Sequence, residues 1–558
     1  MLSYHLIRIQ STQTAIAYLL GFALLSLWPN LGNSTPALPI LPQVYIDATY
    51  SPSIGNTITV NAGGDFQAAL NNANLGDTIV LQAGATFTGT FTLPTKTTGS
   101  GWIYIVSSNY SSLPSPGNRV SPTDVVNMPT ITSPYGNAGL GLLTNSAAHH
   151  YRFVGIEIRP TTGTYLWSIV SIGNGETSLA ALPHDITIDR CYIHGDPTVG
   201  SNRGVTMNGA SVAVVDSYIS DIKVAGADTQ AVASTNGPGP FKIVNNYLEA
   251  AGENVMFGGN DPGIANLVPS DIEIRNNYFF KPLSWMTQLT NGHLWTVKNL
   301  LEFKNAQRVL VEGNRFENNW PNAQDGASIL ITPRNQNGTA PWSVTQDITF
   351  HLNTLVNLAS GFNILGTDNL NHSQYTKRLL IQNNVIGVTG VGGGFGRSIQ
   401  ISTDITDFTI DHNTILNTAT GATSNLGISG GTGTKNNQFV FSNNLASHGQ
   451  YGFFGNAVGE GNICLKTYFT NWSFTNNAII GPNLSSSYPA NNFFPTNTLA
   501  VGFVNYAGGD YHLSTTSPYK NAGTDGLDLG ANIDAIANAS TGVAGVGSLT
   551  PPTGLQIQ

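Results

Sequence analysis

Charge is what this sequence has least of. Only 9% of its 558 residues are charged, against about 25% in typical soluble domains. The formal net charge is −9, and no run of lysines and arginines occurs. A protein that neutralises many phosphates needs a basic surface, so nucleic acid is excluded as a partner. The composition also lacks the high charge of disordered chains, which leaves an acidic, folded protein.

Long apolar runs are also scarce. The exception is Ala15–Trp28, which follows Arg8 and is ended by Pro29. This length suits the core of a signal peptide better than a membrane-spanning helix, which needs about 20 residues. We interpret residues 1–35 as a signal peptide or, alternatively, as an uncleaved N-terminal anchor that tethers the chain to a membrane. In both cases we expect the body to be secreted or at the cell surface.

Helical periodicity is missing, and a strand-like word repeats in its place. Phe241–Leu248 (FKIVNNYL) returns, for example, as Ile272–Phe279 (IEIRNNYF) and Leu379–Ile386 (LLIQNNVI). A period of this size indicates a solenoid. Asparagine tolerates the left-handed backbone of a sharp turn, and its amide can bond to the next asparagine of a stack. The aligned words share one column, 26 to 39 residues apart: Cys191, Ser217, Asn246, Asn277, Asn314, Asn353, Asn384, Asn413, Asn444 and Asn477.

The period, the asparagine column and the opening word Gly64–Gly84 (GDFQAALNNANLGDTIVLQAG) together resemble the right-handed parallel β-helix superfamily. This superfamily includes pectate lyases and polygalacturonases. The resemblance implies an all-β fold, a single-stranded right-handed parallel β-helix with a short N-terminal capping helix. Asp65 is placed to cap that helix. Members are often polysaccharide lyases, glycoside hydrolases, epimerases or adhesins, so the fold does not choose the reaction.

The signatures of the individual enzyme families are absent. The polygalacturonase pattern needs an aspartate trio, Gly-His-Gly and Arg-Ile-Lys, and only Ile193-His194-Gly195 and Ser447-His448-Gly449 resemble parts of it. Of the pectate lyase words, Thr332-Pro333-Arg334 keeps one proline and one arginine. A glycoside hydrolase therefore ranks below a lyase, because the carboxylates that hydrolysis needs are not visible as a cluster.

The rest of the chain divides around this repeat. Residues 36–55 are rich in proline and are predicted to be a linker, residues 56–535 form the β-helix domain, and residues 536–558 are predicted to be a flexible tail. The two cysteines, Cys191 and Cys464, lie about eight coils or roughly 40 Å apart, so no disulfide can join them. The pair His149-His150 has no partner at a fixed metal-binding spacing.

Charge is unevenly distributed along the repeat. Residues 249–334 hold 16 of the 53 charged residues and three of the eight tryptophans. The spacing of the asparagine column also lengthens here, which indicates extra loops. If Leu301 and Phe303 point into the core, Glu302 and Lys304 face outward. An anionic polysaccharide needs cations for its carboxylates and aromatic faces for its sugar rings, and this segment offers both.

We therefore predict β-elimination on a uronic-acid polysaccharide, in which a cation neutralises the uronate and a base takes the adjacent proton. Lys304 is the candidate base and Arg334 the neutralising cation, with Lys281 and Glu302 beside them. The predicted substrate-binding residues are Trp285, Trp295, Trp320, Lys298 and Arg308. The predicted ligands of a calcium ion are Glu253, Asp261 and Asp271.

Two alternatives stay open. The charged segment can be a surface ion-pair strip, with the tryptophans fixing the loops onto the coils. The protein can also be a non-catalytic surface β-helix that binds glycans. In each case we expect a monomer whose partner, if it has one, is a polysaccharide.

Overall fold

A computed structural model describes residues 35–134, 139–421, 423–481 and 485–543. The predicted signal peptide or anchor, up to residue 34, and residues 544–558 of the predicted tail lie outside the described residues. Within the described part of the chain, no helix has the length and apolar character that crossing a membrane requires.

Three long sheets of parallel strands build the solenoid, and successive coils contribute strands to sheets 1, 2 and 3 in turn. This confirms the single-stranded right-handed parallel β-helix. Sheet 1 contains Thr57–Val60, Thr78–Leu81, Ile103–Ser107, His149–Val154, His184–Asp189, Ala210–Val215, Phe241–Val244, Ser270–Arg275, Ala306–Glu312, Thr345–His351, Lys377–Gln382, Thr406–Asp411, Asn436–Ser442 and Phe469–Thr475. Sheet 2 contains Thr86–Thr88, Thr130–Ser133, Glu157–Pro160, Tyr192–His194, Tyr218–Ile222, Tyr247–Ala250, Tyr278–Phe280, Arg315–Asn319, Thr354–Leu358, Val385–Val388, Thr414–Asn417, Leu445–Ser447 and Ala478–Ile480.

Most of the long loops precede or follow strands of sheet 3. Its strands are Phe91–Leu93, Leu140–Thr144, Ser168–Ile172, Arg203–Met207, Gln230–Ser234, Glu253–Phe257, Asn299–Phe303, Ala327–Ile331, Ser360–Ile364, Arg397–Ile401, Asn425–Ser429, Phe453–Gly455 and the antiparallel Gly459–Glu460. Two hairpins stand outside the sheets, Leu289–Thr290 with His293–Leu294 and Phe503–Asn505 with Asp510–Leu513. The helices are Phe66–Asn72, Asn462–Tyr468, Thr498–Val501 and Ile533–Ala539, and the 3-10 turns are Tyr110–Ser112, Pro122–Asn127, Leu179–Ala181, Leu283–Met286 and Val391–Gly393.

The asparagine column forms the predicted ladder between sheets 1 and 2. From Ser217 to Asn477, the backbone amide of each ladder residue donates to the side-chain oxygen of the next one at 2.8 to 3.0 Å, and the last acceptor is Asn492. The left-handed turn falls one residue earlier, as at Asn245 and Asn276, with φ of 58° and 56°. The left-handed turn and the ladder hydrogen bond, both predicted for a single asparagine, therefore belong to two successive residues.

A short helix packs against the first coils of the solenoid. The helix Phe66–Asn72 is capped by Asp65, whose carboxylate accepts from the amide of Ala68 at 2.9 Å. Its residues Phe66 and Leu70 are buried in the core near the first coils.

Both cysteines are buried and unpaired, as predicted, and burial raises the pKa of each thiol to about 12.

The C-terminal residues return over the solenoid. Ile533 and Ile536 of the last helix pack with Val385 and Leu416 of sheet 2. At the last residue of this helix, the backbone oxygen of Ala539 accepts a hydrogen bond from the side chain of Asn276. The predicted tail therefore begins, at residue 536, inside a packed helix.

Residues 36–55 are not a free linker but an N-terminal strap that lies along sheet 1. The backbone amides of Ala37, Ile40 and Gln43 donate to Asp407, Asp347 and Asp271 at 2.8, 3.0 and 2.8 Å. These aspartates are two coils apart, about 9.6 Å. Three residues of polyproline II chain span about 9.3 Å, and a proline precedes each donating residue. The proline period thus matches the spacing of the coils.

Removing two strap acceptors should release the strap. Asp271→Gly with Asp347→Gly keeps the left-handed backbone, since φ is 57° and 56° at these sites. Each lost hydrogen bond contributes about 1.5 kcal/mol, so we expect cleavage by chymotrypsin at Tyr45 or Tyr50 to accelerate at least about tenfold. Asp404→Gly, another left-handed aspartate that instead binds Thr434, is the matched control. An unchanged cleavage rate in the double variant would show that other contacts hold the strap.

Candidate functional site

A polar stripe runs along the outer side of sheet 3. Val255, Phe257, Leu301 and Phe303 lie in the core, as predicted for the last two. Glu302, between Leu301 and Phe303, faces outward because side chains alternate along a strand. Leu300 and Leu301 both lie in the core, so Asn299 before them is on the outer side with Glu302, to which it donates. We define the polar stripe by its members: Arg203, Gln230, Glu253, Lys298, Asn299, Glu302 and Lys304. It lies between two sets of loops, 281–298 and 320–326 before the strands and 258–269 and 332–344 after them.

Strand register places four members of the stripe in one row. Arg203, Gln230, Glu253 and Asn299 occupy equivalent positions of successive strands. Arg203 Nε donates to Gln230 Oε1 at 3.0 Å, and Gln230 Nε2 donates to Glu253 Oε2 at 2.7 Å. The side-chain amide of Gln230 therefore links the Arg203 guanidinium to the Glu253 carboxylate.

Glu253 is a buried acid whose side chain is 0% exposed. Its Oε1 accepts no hydrogen bond from the residues that the structure describes. The nearest cation to that oxygen is Lys298, whose Nζ lies 3.4 Å away. Burial, and next the negative charge of Glu302, raise the pKa of Glu253. Glu253 is therefore suited to stay protonated at a pH at which ordinary carboxyl groups are ionised.

Lys298 connects this acid to the surface. Its Nζ also lies 2.5 Å from Asp228 Oδ2, and the Asp228 side chain is 52% exposed. Burial lowers the pKa of Lys298, but Glu253 and Asp228 raise it by more, so the net shift is upward. Lys298 therefore keeps its positive charge, and it lies on the solvent side of Glu253.

Glu302 and Lys304 form an ion pair, and Arg334 is joined to Lys304 through the backbone of the next coil. Lys304 Nζ lies 3.4 Å from Glu302 Oε1, and Asn299 Nδ2 donates to Glu302 Oε2 at 3.1 Å. The backbone amide of Arg334 donates to the carbonyl of Lys304 at 2.8 Å. The Arg334 guanidinium pairs with Asp368 at 3.1 Å. Lys304 and Arg334, selected from sequence, therefore lie on the same side of the solenoid.

An aromatic residue near this stripe was missed by the sequence analysis. Trp167 is 43% exposed, and the Arg203 guanidinium lies 5.3 Å from its ring centroid. Trp167 precedes the sheet 3 strand adjacent to that of Arg203. Neither residue lies in the charge-rich segment, so only the coil register places Arg203 in the stripe and Trp167 beside it.

The three predicted sugar-binding tryptophans do not face a substrate. Trp285, Trp295 and Trp320 are 3%, 1% and 3% exposed and pack together with Val297. The Lys223 ammonium lies 5.3 and 5.1 Å from the rings of Trp285 and Trp295. This corrects the prediction, because these rings stabilise the loop 281–298 on the coil.

Lys281 is also withdrawn from the surface. It is 0% exposed, and its Nζ donates to the carbonyls of Ala250, Ala251 and Gly252 and to Asn254 Oδ1 at 2.6 to 3.0 Å. Burial lowers the pKa of Lys281 to about 7, whereas four oxygen acceptors favour the ammonium. Lys281 closes a turn and has no path to a polysaccharide, which corrects its predicted role.

The remaining predicted residues separate into different environments. Arg308 binds Asp271 through two hydrogen bonds of 2.7 and 2.9 Å beneath the strap, so it is not a substrate contact. Asp261 Oδ2 accepts from the amides of Asn337 and Thr339. In the described part of the chain, Glu253, Asp261 and Asp271 therefore do not converge on one calcium ion.

The stripe has the components of acid–base chemistry on an anionic substrate. Glu253 and Glu302 are two buried carboxyl groups in successive coils, with Lys298 and Lys304 beside them. A protonated acid can protonate a leaving group, a carboxylate can take a proton, and the cations can neutralise negative charge.

No protein-family model and no curated protein matches this chain. It is similar to the catalytic unit of GH87 α-1,3-glucanase from Streptomyces thermodiastaticus strain HF3-3, with 14% identity, 78% of this chain and 70% of that chain covered, and a TM-score of 0.48. It is similar to the PL6 family alginate lyase AlyGC with 13% identity, 89% of this chain and 59% of that chain covered, and a TM-score of 0.46. With pectate lyase Pel9A the identity is 15%, the coverage is 86% of this chain and 96% of that chain, and the TM-score is 0.29. The likeness concerns the fold alone, and the three parallel sheets of this chain make it a right-handed parallel β-helix.

Proposed function

We propose that this chain is an exported enzyme that binds an acidic polysaccharide along the polar stripe and cleaves it by β-elimination. The observation that supports this most is the buried pair Glu253 and Glu302 with cations on its solvent side. Trp167, near one end of the stripe, offers an exposed ring for a sugar face.

The proposed reaction uses each group once. Lys304 and Arg334 neutralise the uronate carboxylate, which acidifies the adjacent C–H. We reassign the base from Lys304 to Glu302, because Lys304 is already an ion-pair cation. The C–H electron pair forms the new double bond as the glycosidic C–O bond breaks, and Glu253 gives its proton to the leaving oxygen. As substrate enters, Lys298 moves away from Glu253 and Lys304 turns from Glu302 toward the uronate carboxylate, which long lysine side chains allow.

The test is a panel of uronic-acid and neutral polymers, assayed with calcium and with a chelator. Elimination produces an unsaturated sugar, detected by ultraviolet absorbance, together with one new reducing end for each cleaved bond. We expect both signals on a uronic-acid polymer and neither on neutral polymers. Binding without either signal would instead favour the non-catalytic, glycan-binding alternative.

Hydrolysis is the second candidate, and the raised pKa of Glu253 beside Glu302 favours it. Glycoside hydrolysis also uses a protonated and an ionised carboxyl group. New reducing ends without ultraviolet absorbance would select hydrolysis over elimination.

A further inference from the structure

A cluster of histidines and one aspartate lies at the start of two neighbouring sheet 1 strands, outside the polar stripe. His149 and His184 pair in register, so His150 and Asp185 are also neighbours one coil apart. Both have left-handed backbone, with φ of 58° and 53°. They occupy the same column that carries the strap-binding aspartates further along sheet 1.

In that column, arginines neutralise aspartates across neighbouring coils. Arg308 pairs with Asp271 at 2.7 Å and Arg378 with Asp347 at 2.5 Å. The neighbours of Asp185 in the column are His150 and Ser211. Among the described residues, Asp185 forms ion pairs with histidines alone. This coil therefore lacks the permanent cation that the column supplies elsewhere.

The side chains converge as metal ligands do. One nitrogen each of His150 and His184 and one oxygen of Asp185 lie within 4.8 Å of one another. The three side chains are 35%, 39% and 32% exposed, so an ion can reach them from solvent. His184 Nδ1 lies 2.7 Å and His150 Nδ1 3.9 Å from Asp185 Oδ2. Small rotations would bring all three within coordination distance of about 2.0 to 2.2 Å from a shared ion.

Neighbouring side chains hold these imidazoles in place. His149 stacks on His184, with 4.9 Å between ring centroids and 6° between ring planes. His149 also meets His150 edge-on, and Trp102 lies 5.3 Å from the His150 ring. The Nε2 of His149 lies 3.1 Å from the carbonyl of Lys96. Such outer contacts orient ligands and reduce the entropy lost on binding.

We propose that His150, His184 and Asp185 bind a divalent transition-metal ion of the zinc or nickel class. Two imidazoles and a carboxylate suit these ions, whereas calcium prefers oxygen ligands. The bound ion supplies to Asp185 the positive charge that arginine supplies in other coils. It also cross-links two strands of neighbouring coils.

The test is calorimetric titration of the full, tag-free chain with zinc, nickel and calcium chlorides after chelator treatment. We expect saturable binding of one zinc or nickel ion, a raised thermal midpoint, and no comparable effect of calcium. His184→Gln and Asp185→Asn should each weaken zinc binding about tenfold or more. Asparagine tolerates the left-handed backbone at position 185, so this variant is expected to fold.

The matched control is His372→Gln, an exposed histidine in a distant loop, which should leave zinc binding unchanged. Each variant is compared with the parent for its metal-free thermal midpoint, which separates lost ligation from lost folding. The proposal is overturned if the parent chain binds no zinc or nickel. It is also overturned if folded His184→Gln and Asp185→Asn bind them as tightly as the parent does.

Discussion

Glu302→Gln is expected to lower kcat/KM on the cleaved polysaccharide by at least about 100-fold, the usual contribution of a general base. Glutamine keeps the volume of Glu302 and its one amide oxygen can still accept from Asn299 or from Thr332, which donate to different oxygens of Glu302, but the amide cannot take a proton. Glu253→Gln should also reduce the rate, because the leaving oxygen would lose its proton donor. Initial rates and thermal midpoints of purified variants check both expectations.

A matched control separates catalysis from folding. Glu273→Gln changes a glutamate that is also buried and ion-paired, with Lys242 at 3.0 Å and Arg275 at 3.3 Å, but on sheet 1. It should leave kcat/KM within about threefold of the parent. If Glu302→Gln folds normally and retains parental activity, Glu302 is not the base and the assignment of the reaction to the polar stripe fails.

Asn314→Ala is expected to destabilise the solenoid by about 3 kcal/mol or more. Asn314 is 0% exposed, and its Oδ1 accepts from the backbone amide of Asn277 at 2.9 Å. Its Nδ2 donates to the carbonyl of Ile274 at 2.9 Å and to Asn353 Oδ1 at 3.0 Å. Alanine leaves these groups buried and unsatisfied, at about 1 to 3 kcal/mol each. Urea unfolding of parent and variant measures the loss.

A serine already occupies one position of the ladder, which gives a milder substitution for comparison. In the same column, Ser217 Oγ accepts from the amide of Cys191 at 3.0 Å and donates to the carbonyl of Val215 at 2.8 Å. Asn314→Ser should therefore lose less stability than Asn314→Ala. The exposed helix residue Asn538, changed to alanine, should shift the midpoint little. Equal losses for serine and alanine at position 314 would attribute the effect to volume and not to the ladder.

The sequence identified part of the site because the ladder fixes the register of the coils. Once Asn277, Asn314 and Asn353 are aligned, strand alternation places Glu302 and Lys304 outward and Arg334 in the following coil. Both placements agree with the structure. Arg203, a member of the stripe, and Trp167 beside it were missed because both lie outside the charge-rich segment and reach this face only through the stacking of coils.

The loops were where sequence reasoning failed. Trp285 and Trp295 stand in a segment with no repeat, so nothing in their spacing distinguishes packing onto Val297 from exposure to a sugar. Lys281 follows the strand Tyr278–Phe280, where alternation with the core residue Phe279 turns its side chain inward, and there three backbone carbonyls bind its ammonium. Asp271 and Arg308 satisfy each other because neighbouring coils place them about 4.8 Å apart.

The sequence by itself determined the fold, because both the period of its strand words and the column of asparagines, whose buried side chains bond from coil to coil, can be read without a structure. It also determined that the cysteines stay apart and that charge is concentrated in residues 249–334. Only the tertiary structure decided which of those charges face solvent and which are used internally. The reason is that a charge's role depends on the partner that a neighbouring coil, loop or strap brings to it, and those partners lie tens to hundreds of residues away.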